Sequence, residues 1–344
     1  MNRMKKSLPV LLCLHFLALS LVAQDPHFSF AAGNPLGVNP ALTGQINNND
    51  WRLSLSHRQQ WANLLGRQGA FRTYSAGLEH RFCLPFKGNY LALGLAVVGD
   101  ERGDLPLQRL DGSLSVAYIK VLDQRSDQVR YLLLGAEAGF ITHRLDINDL
   151  SFDEQFDHPD LPSEIEGSST TAVADWGAGV ALTFAPTERG DWGFQVGFAA
   201  KHLNRPNWSL LGINDGRLGR TINSHFVGHG SFTWMPKKAG VSVQSIYRVQ
   251  DPHRQLLSNI TFLMKPGGGF TFRLGAGYRS ARGFEGLRSD AYVFTAGLVY
   301  DTFQLTFNYD GGMKTLAGGP QSLELMLNYQ FGRSACSKVY CPAF

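Results

Sequence analysis

The chain is short of charge and of cysteine, and its mature part has no long apolar run. Charged residues make up 17% of the 344 positions, where a soluble domain usually carries about 25%. That scarcity excludes a disordered or coiled-coil protein, both of which are charge-rich. Only 4 cysteines occur, with no Cys-x-x-Cys pair and no Cys/His cluster at zinc spacing. No helix-period segment exceeds about two turns beyond the first 23 residues, so a helical bundle is excluded as well. Mean hydropathy is −0.13, too low for a helical membrane protein. What is present is apolar residue at 44%, aromatic residue at 12% and 38 glycines. Few charges, many glycines and aromatics and no net hydrophobicity suit strands whose polar and apolar residues alternate.

Residues 1–23 read as a secretory signal: Arg3, Lys5 and Lys6 precede the apolar run Leu8–Val22, and the small Ala23 stands at the expected cut. The run carries His15 and is too short for the ~20 residues a spanning helix needs. Bulky Leu12 before Cys13 argues against lipid attachment. Without the signal, Lys+Arg falls from 32 to 29 against 28 acids, so the net charge drops from +4 to +1. The mature chain carries no large excess charge to attract nucleic acid. Cys83, Cys336 and Cys341 remain, and an exported chain can form one disulfide from them.

Period-two alternation is frequent and is cleanest in the second half. Phe270, Phe272, Leu274, Ala276 and Tyr278 alternate with Thr271, Arg273, Gly275, Gly277 and Arg279. Leu323, Leu325, Leu327, Tyr329 and Phe331 alternate with Glu324, Met326, Asn328 and Gln330. Runs of around ten residues match the 9–11 of a tilted transmembrane strand, and aromatics at their ends resemble an interfacial girdle. The pattern predicts about 14 strands, at 51–58, 71–82, 90–99, 110–119, 130–142, 174–184, 191–201, 223–234, 239–249, 256–265, 270–279, 291–300, 302–309 and 322–331. Connections after the even strands are mostly short; those after strands 1, 3, 5, 7, 11 and 13 are longer, and the one after strand 9 breaks the rule. This parity predicts an all-β transmembrane antiparallel barrel of a Gram-negative outer membrane, with short periplasmic turns and long extracellular loops. The domain reading is signal peptide 1–23, a periplasmic or lumen segment 24–50, barrel 51–331 and periplasmic tail 332–344. Both chain ends are expected on the periplasmic side. A disulfide from Cys83 to Cys336 or Cys341 is then geometrically possible, with Cys336–Cys341 as the alternative.

The segment 25–44 reads DPHFSFAAGNPLGVNPALTG, with Asn34-Pro35 and Asn39-Pro40 as turn initiators. Further pieces are Arg58-Gln59-Gln60-Trp61, Phe71-Arg72-Thr73-Tyr74-Ser75, residues 150–157 (LSFDEQFD), residues 201–207 (KHLNRPN), Gly275–Ser280 (GAGYRS) and the ending Cys341-Pro342-Ala343-Phe344. In this order the pieces resemble the PorP/SprF family of Bacteroidetes outer-membrane proteins, spread over residues 24–344. His27 and the FAAGN stretch depart from the more polar, aromatic residues usual after the signal, and Gln60 sits at an apparent insertion in RxQW. The resemblance implies a part in the type IX secretion and gliding machinery: export and surface anchoring of large adhesins through their C-terminal signal domains, with periplasmic partners. A FadL-like channel for hydrophobic solutes is the alternative, because it also has fourteen strands and an Asn-Pro-Ala segment near its start.

Between Asp146 and Glu166 lie eight acids and no Lys or Arg. EF-hand spacing is absent, so this loop reads as a solvated or partner-binding surface. The aromatics inside it make Phe152, Asp153, Glu154, Phe156 and Asp157 the candidate partner contacts. His202–Asn207 reads as a turn; no Ser/His/Asp or Cys/His arrangement suggests catalysis, and no cofactor or metal site is expected. Gly267-Gly268-Gly269 and Gly311-Gly312 read as tight turns. Arg273, Arg279 and Glu324 face the lumen and are expected to pair there.

Overall fold

The computed structural model describes residues 25–84, 89–103, 107–146, 168–208, 220–283, 286–312 and 321–333. The strands are β1 (Asn49–Gln60), β2 (Phe71–Cys83), β3 (Asn89–Arg102), β4 (Leu107–Gln124), β5 (Gln128–Asp146), β6 (Ser168–Pro186), β7 (Trp192–Lys201), β8 (Asn207–Trp208), β9 (Arg220–Thr221), β10 (His225–Trp234), β11 (Ala239–Gln250), β12 (His253–Gly267), β13 (Phe270–Gly283), β14 (Gly286–Tyr300), β15 (Phe303–Gly312) and β16 (Gln321–Arg333). Each pairs antiparallel with the next around one closed barrel of fourteen strands; β8 and β9 form a separate small ribbon between β7 and β10. Closure runs from Asn49 opposite Arg333 to Gln60 opposite Ser322. A closed sheet leaves no unpaired edge, which is what lets strands cross a bilayer. No helix among the described residues is long and apolar enough to do so.

The alternation sorts side chains as a membrane barrel requires. Leu114, Phe262 and Leu274 point outward at 66%, 61% and 59% exposure, while Glu324 and Arg58 point inward at 1% each. The outer face is thus a continuous apolar band, and the polar residues line the lumen.

All fourteen expected strands form, but several run further than the alternation suggested. β5 and β6 contain 19 residues each and stay paired out to Asp146 opposite Ser168, about twice the 9–11 residues needed to cross. Backbone ladder bonds persist past the apolar band because unpaired peptide groups gain nothing by leaving the ladder. The connection after β13, expected to be long, shrinks to 284–285 because Gly283 pairs with Gly286. The connection 61–70 carries a short helix, Ala62–Gly69. Gly267, Gly268 and Gly269 adopt φ of 120°, 64° and 81°, as a tight turn demands. Gly311 and Gly312, expected in a turn, are still part of β15, whose ladder continues opposite Ala291 and Tyr292.

The barrel has a core because its own N-terminal segment fills it. Residues 25–48 fold as a 3₁₀ turn (Ala31–Gly33), a helix α1 (Pro35–Val38) and a second 3₁₀ turn (Pro40–Leu42). The repeated Asn-Pro explains this local structure. Asn34 Oδ1 accepts from Gly37 N–H at 3.3 Å, and Asn39 Oδ1 from Ala41 N–H at 2.9 Å. Pro35 and Pro40 each take the first helical position, where a missing N–H costs nothing. Ala41 and Leu42 then pack on Tyr90, Ile119, Leu133 and Ala181 of the wall, Val38 on Val227 and Ile246, and Phe28 and Phe30 on Met326. Fully burying each large apolar side chain contributes roughly 1.5–3 kcal/mol.

Candidate functional site

The lumen interface between this plug and the wall gathers most of the buried charge. At its far end, Asp25 Oδ1 accepts from Arg109 Nη1 at 2.9 Å, and Oδ2 accepts from His202 Nε2 at 2.6 Å and His225 Nδ1 at 2.8 Å. The Asp25 N–H donates to Gln250 Oε1 at 3.0 Å. Arg109 stands near the start of β4, His202 just past β7, His225 at the start of β10 and Gln250 at the end of β11. All four lie at the loop rim, opposite the short turns. The expectation that both chain ends lie on the turn side is therefore corrected for the N-terminal segment: β1 starts at the turn rim, but the plug runs back through the lumen until Asp25 meets the loop rim. Polar groups on the inner wall can pair with it all the way up, which gives the segment a reason to enter.

The outer ring nitrogen of His202, Nδ1, lies 2.9 Å from Asp175 Oδ1, so the imidazole stands between two carboxylates. Burial opposes charge on it, but Asp25 and Asp175 raise its pKa to about 10. Burial likewise opposes charge on Asp25, yet His202 and Arg109 hold its carboxyl well below the usual range. At neutral pH the clamp is an ionised carboxylate gripped by the Arg109 and His202 cations, with His225 Nδ1 as its third partner. Asp25, His202 and His225 are also the one group of three possible metal ligands among the described residues. Their 2.6 and 2.8 Å separations are hydrogen-bond lengths; zinc bonds of ~2.0–2.1 Å at tetrahedral angles would hold them about 3.3 Å apart.

Midway down, Ser29 sits in a four-charge network. Its N–H donates to Glu324 at 2.9 and 3.0 Å, and its hydroxyl to Asp310 Oδ2 at 2.7 Å. Arg58 pairs with Asp310 at 3.1 Å and Glu324 at 2.8 Å, while Arg279 reaches Asp310 at 2.6 Å. Two cations and two anions pair in a buried interior, where an unpaired charge would be expensive. Near the turn rim, Glu79 takes Arg52 at 2.8 and 2.7 Å and the Gly44 N–H at 2.8 Å. Arg81 donates to the Ile46 carbonyl and, at 2.7 Å, to the Asn49 carbonyl. At Gly135 of β5 a Cβ would lie 2.4 Å from Ala41 N, so glycine there lets the plug backbone touch the wall.

These contacts absorb much of the sequence pattern: Asp25, Asn34, Asn39, Arg58, Ser75, His202 and Arg279 all meet across one interface, Ser75 accepting from Asn34 Nδ2 at 3.3 Å. The expected lumen pairs form for Arg279 and Glu324. Arg273 is corrected: two of its guanidinium nitrogens are buried with no partner. His202, expected only to shape a turn, holds Asp25 as well, while Asn204 Nδ2 bonds the Ala174 carbonyl at 2.7 Å. Phe152, Asp153, Glu154, Phe156 and Asp157 lie outside the described residues, as do Cys336 and Cys341. Cys83, at the turn-rim end of β2, is disulfide-bonded, and its partner lies outside the described residues.

In comparisons with solved structures, the Pseudomonas putida toluene transporter TodX aligns with 90% of this chain and 95% of its own at 11% identity and TM-score 0.45. A Pseudomonas aeruginosa FadL homologue aligns over 89% and 95% at 11% identity and TM-score 0.46. CdiB from Acinetobacter baumannii aligns over 83% of this chain at 9% identity and TM-score 0.46, and the chain spans 60% of the CdiB length. No curated protein matches in sequence. The family described as "Type IX secretion system membrane protein PorP/SprF" matches residues 20–329. The match runs from residue 20 through the plug and nearly the whole wall, so this closed fourteen-stranded barrel of the outer membrane belongs to the PorP/SprF family of the type IX secretion system.

Proposed function

We propose that the chain is a non-enzymatic component of the type IX machinery that assists export and surface anchoring of secreted adhesin-type substrates. The short-turn rim faces the periplasm and the loop rim the exterior, as outer-membrane barrels are oriented. Substrate, or its C-terminal signal domain, docks on the extracellular connection 147–167 through Phe152, Asp153, Glu154, Phe156 and Asp157. Periplasmic components meet the tail 332–344. The observation that carries this reading is the family match over residues 20–329. The paired extension of β5 and β6 to Asp146 and Ser168 supports it, since a hairpin about twice the length needed to cross carries its ends beyond the apolar band. A lumen occupied by the plug also argues for work at the rims rather than through the pore.

Deleting 150–166 tests the assignment. The barrel should insert and keep its heat-resistant mobility on gels while the surface-held substrate appears in the medium. Unchanged retention refutes the contact. Flux of a hydrophobic solute into liposomes carrying the intact protein would instead favour a FadL-like channel.

A further inference from the structure

At the turn-rim end of the lumen, between the plug and strands β12–β16, lies a cavity of about 550 Å³. Arg273 lines it, is 7% exposed, and has Nε and Nη1 buried without a hydrogen-bond partner. A second orphaned donor, Gln304 Nε2, is buried in the same wall. Lys265 adds a further positive charge, while Arg52 is neutralised by Glu79. Asp301, the acid of the lining, sits exposed in the β14–β15 turn and makes no ion pair with Arg273 among the described residues. Arg52, Arg58, Arg81, Arg109 and Arg279 of the lumen each meet a carboxylate, and Arg248, which has none among the described residues, donates to Gln255 Oε1 at 3.1 Å; Arg273 has neither.

We infer that this cavity is a binding site for an oxyanion, a carboxylate or phosphate group presented from the turn-rim side. The reasoning is one of charge and donors. A guanidinium buried to 7% exposure with two unpaired nitrogens favours a counter-charge, since burying an unpaired ion costs several kcal/mol. Water fits a polar space of this size and can satisfy donors, but it brings no charge. An oxyanion supplies both, and the planar guanidinium offers two N–H groups in the fork that carboxylate and phosphate match. Gln304 and Lys265 supply further donors from neighbouring strands. The site owes nothing to the loop-rim surface, so its fate is independent of the substrate-docking proposal.

Inorganic phosphate and succinate, titrated separately into the purified full chain in detergent against sodium chloride of equal ionic strength, test the inference and distinguish the two sources. Saturable binding at one site per chain is expected for at least one of them by calorimetry, with a rise in the unfolding temperature. In Arg273→Gln the affinity should fall tenfold or more; Arg273→Lys should regain part of it. Without added anion, Arg273→Gln should unfold at the same or a higher temperature than the parent, because an uncompensated charge has been removed; a guanidinium with a purely structural role would show a lower one. No saturable binding of either anion, or equal binding by parent and Arg273→Gln, overturns the proposal.

Discussion

Replacing Asp25 by Asn removes one charge from the clamp while keeping the shape of the side chain. Asp25 accepts three bonds, from Arg109, His202 and His225, at 2.9, 2.6 and 2.8 Å. Bonds to charged groups are worth roughly 1.5–3 kcal/mol each, and not additively. The amide presents an NH₂ to at least one donor and loses the charge that holds His202 cationic. Arg109 keeps Asp111 at 2.8 Å and His202 keeps Asp175 at 2.9 Å, so the loss should fall near the lower end of the 3–5 kcal/mol seen when a buried pair is broken. A loss of about 3 kcal/mol raises the undocked population of the plug's first residues about a hundredfold, at 1.4 kcal/mol per factor of ten. Hydrogen–deuterium exchange on the refolded barrel, with the processed N-terminus checked by intact mass, should show His27 exchanging up to about a hundredfold faster, the effect falling off at Ser29, which Glu324 and Asp310 hold separately. Residues 38–46, held separately by Glu79 and Arg81, should change far less. Exchange of His27 within threefold of the parent would refute the clamp.

The same clamp carries a pH signature. His202 has its pKa raised to about 10, so its contribution is complete below about 6.5, its ordinary value, and fades as pH climbs towards 10. Asp25, depressed below its ordinary value, contributes above about 4 and is lost only in stronger acid. After correction for intrinsic exchange rates, protection of His27 should decline steadily from about pH 6.5 to pH 10; His202→Gln should abolish the decline. Gly135→Ala sets a methyl against the Ala41 backbone and should cost about 1–3 kcal/mol, as overpacking does, seen as a lower heat-modification temperature with the barrel still assembled. Non-reducing peptide mapping should find Cys83 joined to Cys336 or Cys341; three free thiols in the mature protein would contradict this.

The barrel wall was legible because each strand repeats one physical demand, lipid on one side and polar lumen on the other. Leu323, Leu325 and Tyr329 announce the outer face and Glu324 and Asn328 the inner one without reference to any other strand. The extension of β5 and β6 past the apolar band was not legible, since His143, Arg144, Thr170 and Thr171 alternate polar with polar. The Asn-Pro pair was readable as turn-forming from local chemistry, but whether those turns lay in the lumen depended on distant partners. Asp25 and His202 are 177 residues apart and Asp25 and His225 are 200 apart; neither histidine has a neighbour in sequence that marks it as a partner. Arg273 and Arg279 looked alike on the same inward face, and only the wall opposite separates them, with Asp310 beside one and open space beside the other.

The central claim, a barrel that works through its rims in type IX export, is tested most directly by site-specific crosslinking in native outer membranes. A photoreactive residue at Phe156 should capture an exported substrate or its signal domain. One at Lys338, in the tail, should capture a periplasmic component of the machinery. The two captured sets should differ, and loss of the loop adduct on removing 150–166 should leave the tail adduct intact. Capture of no protein at either position, from a correctly inserted barrel in secreting cells, would contradict the account.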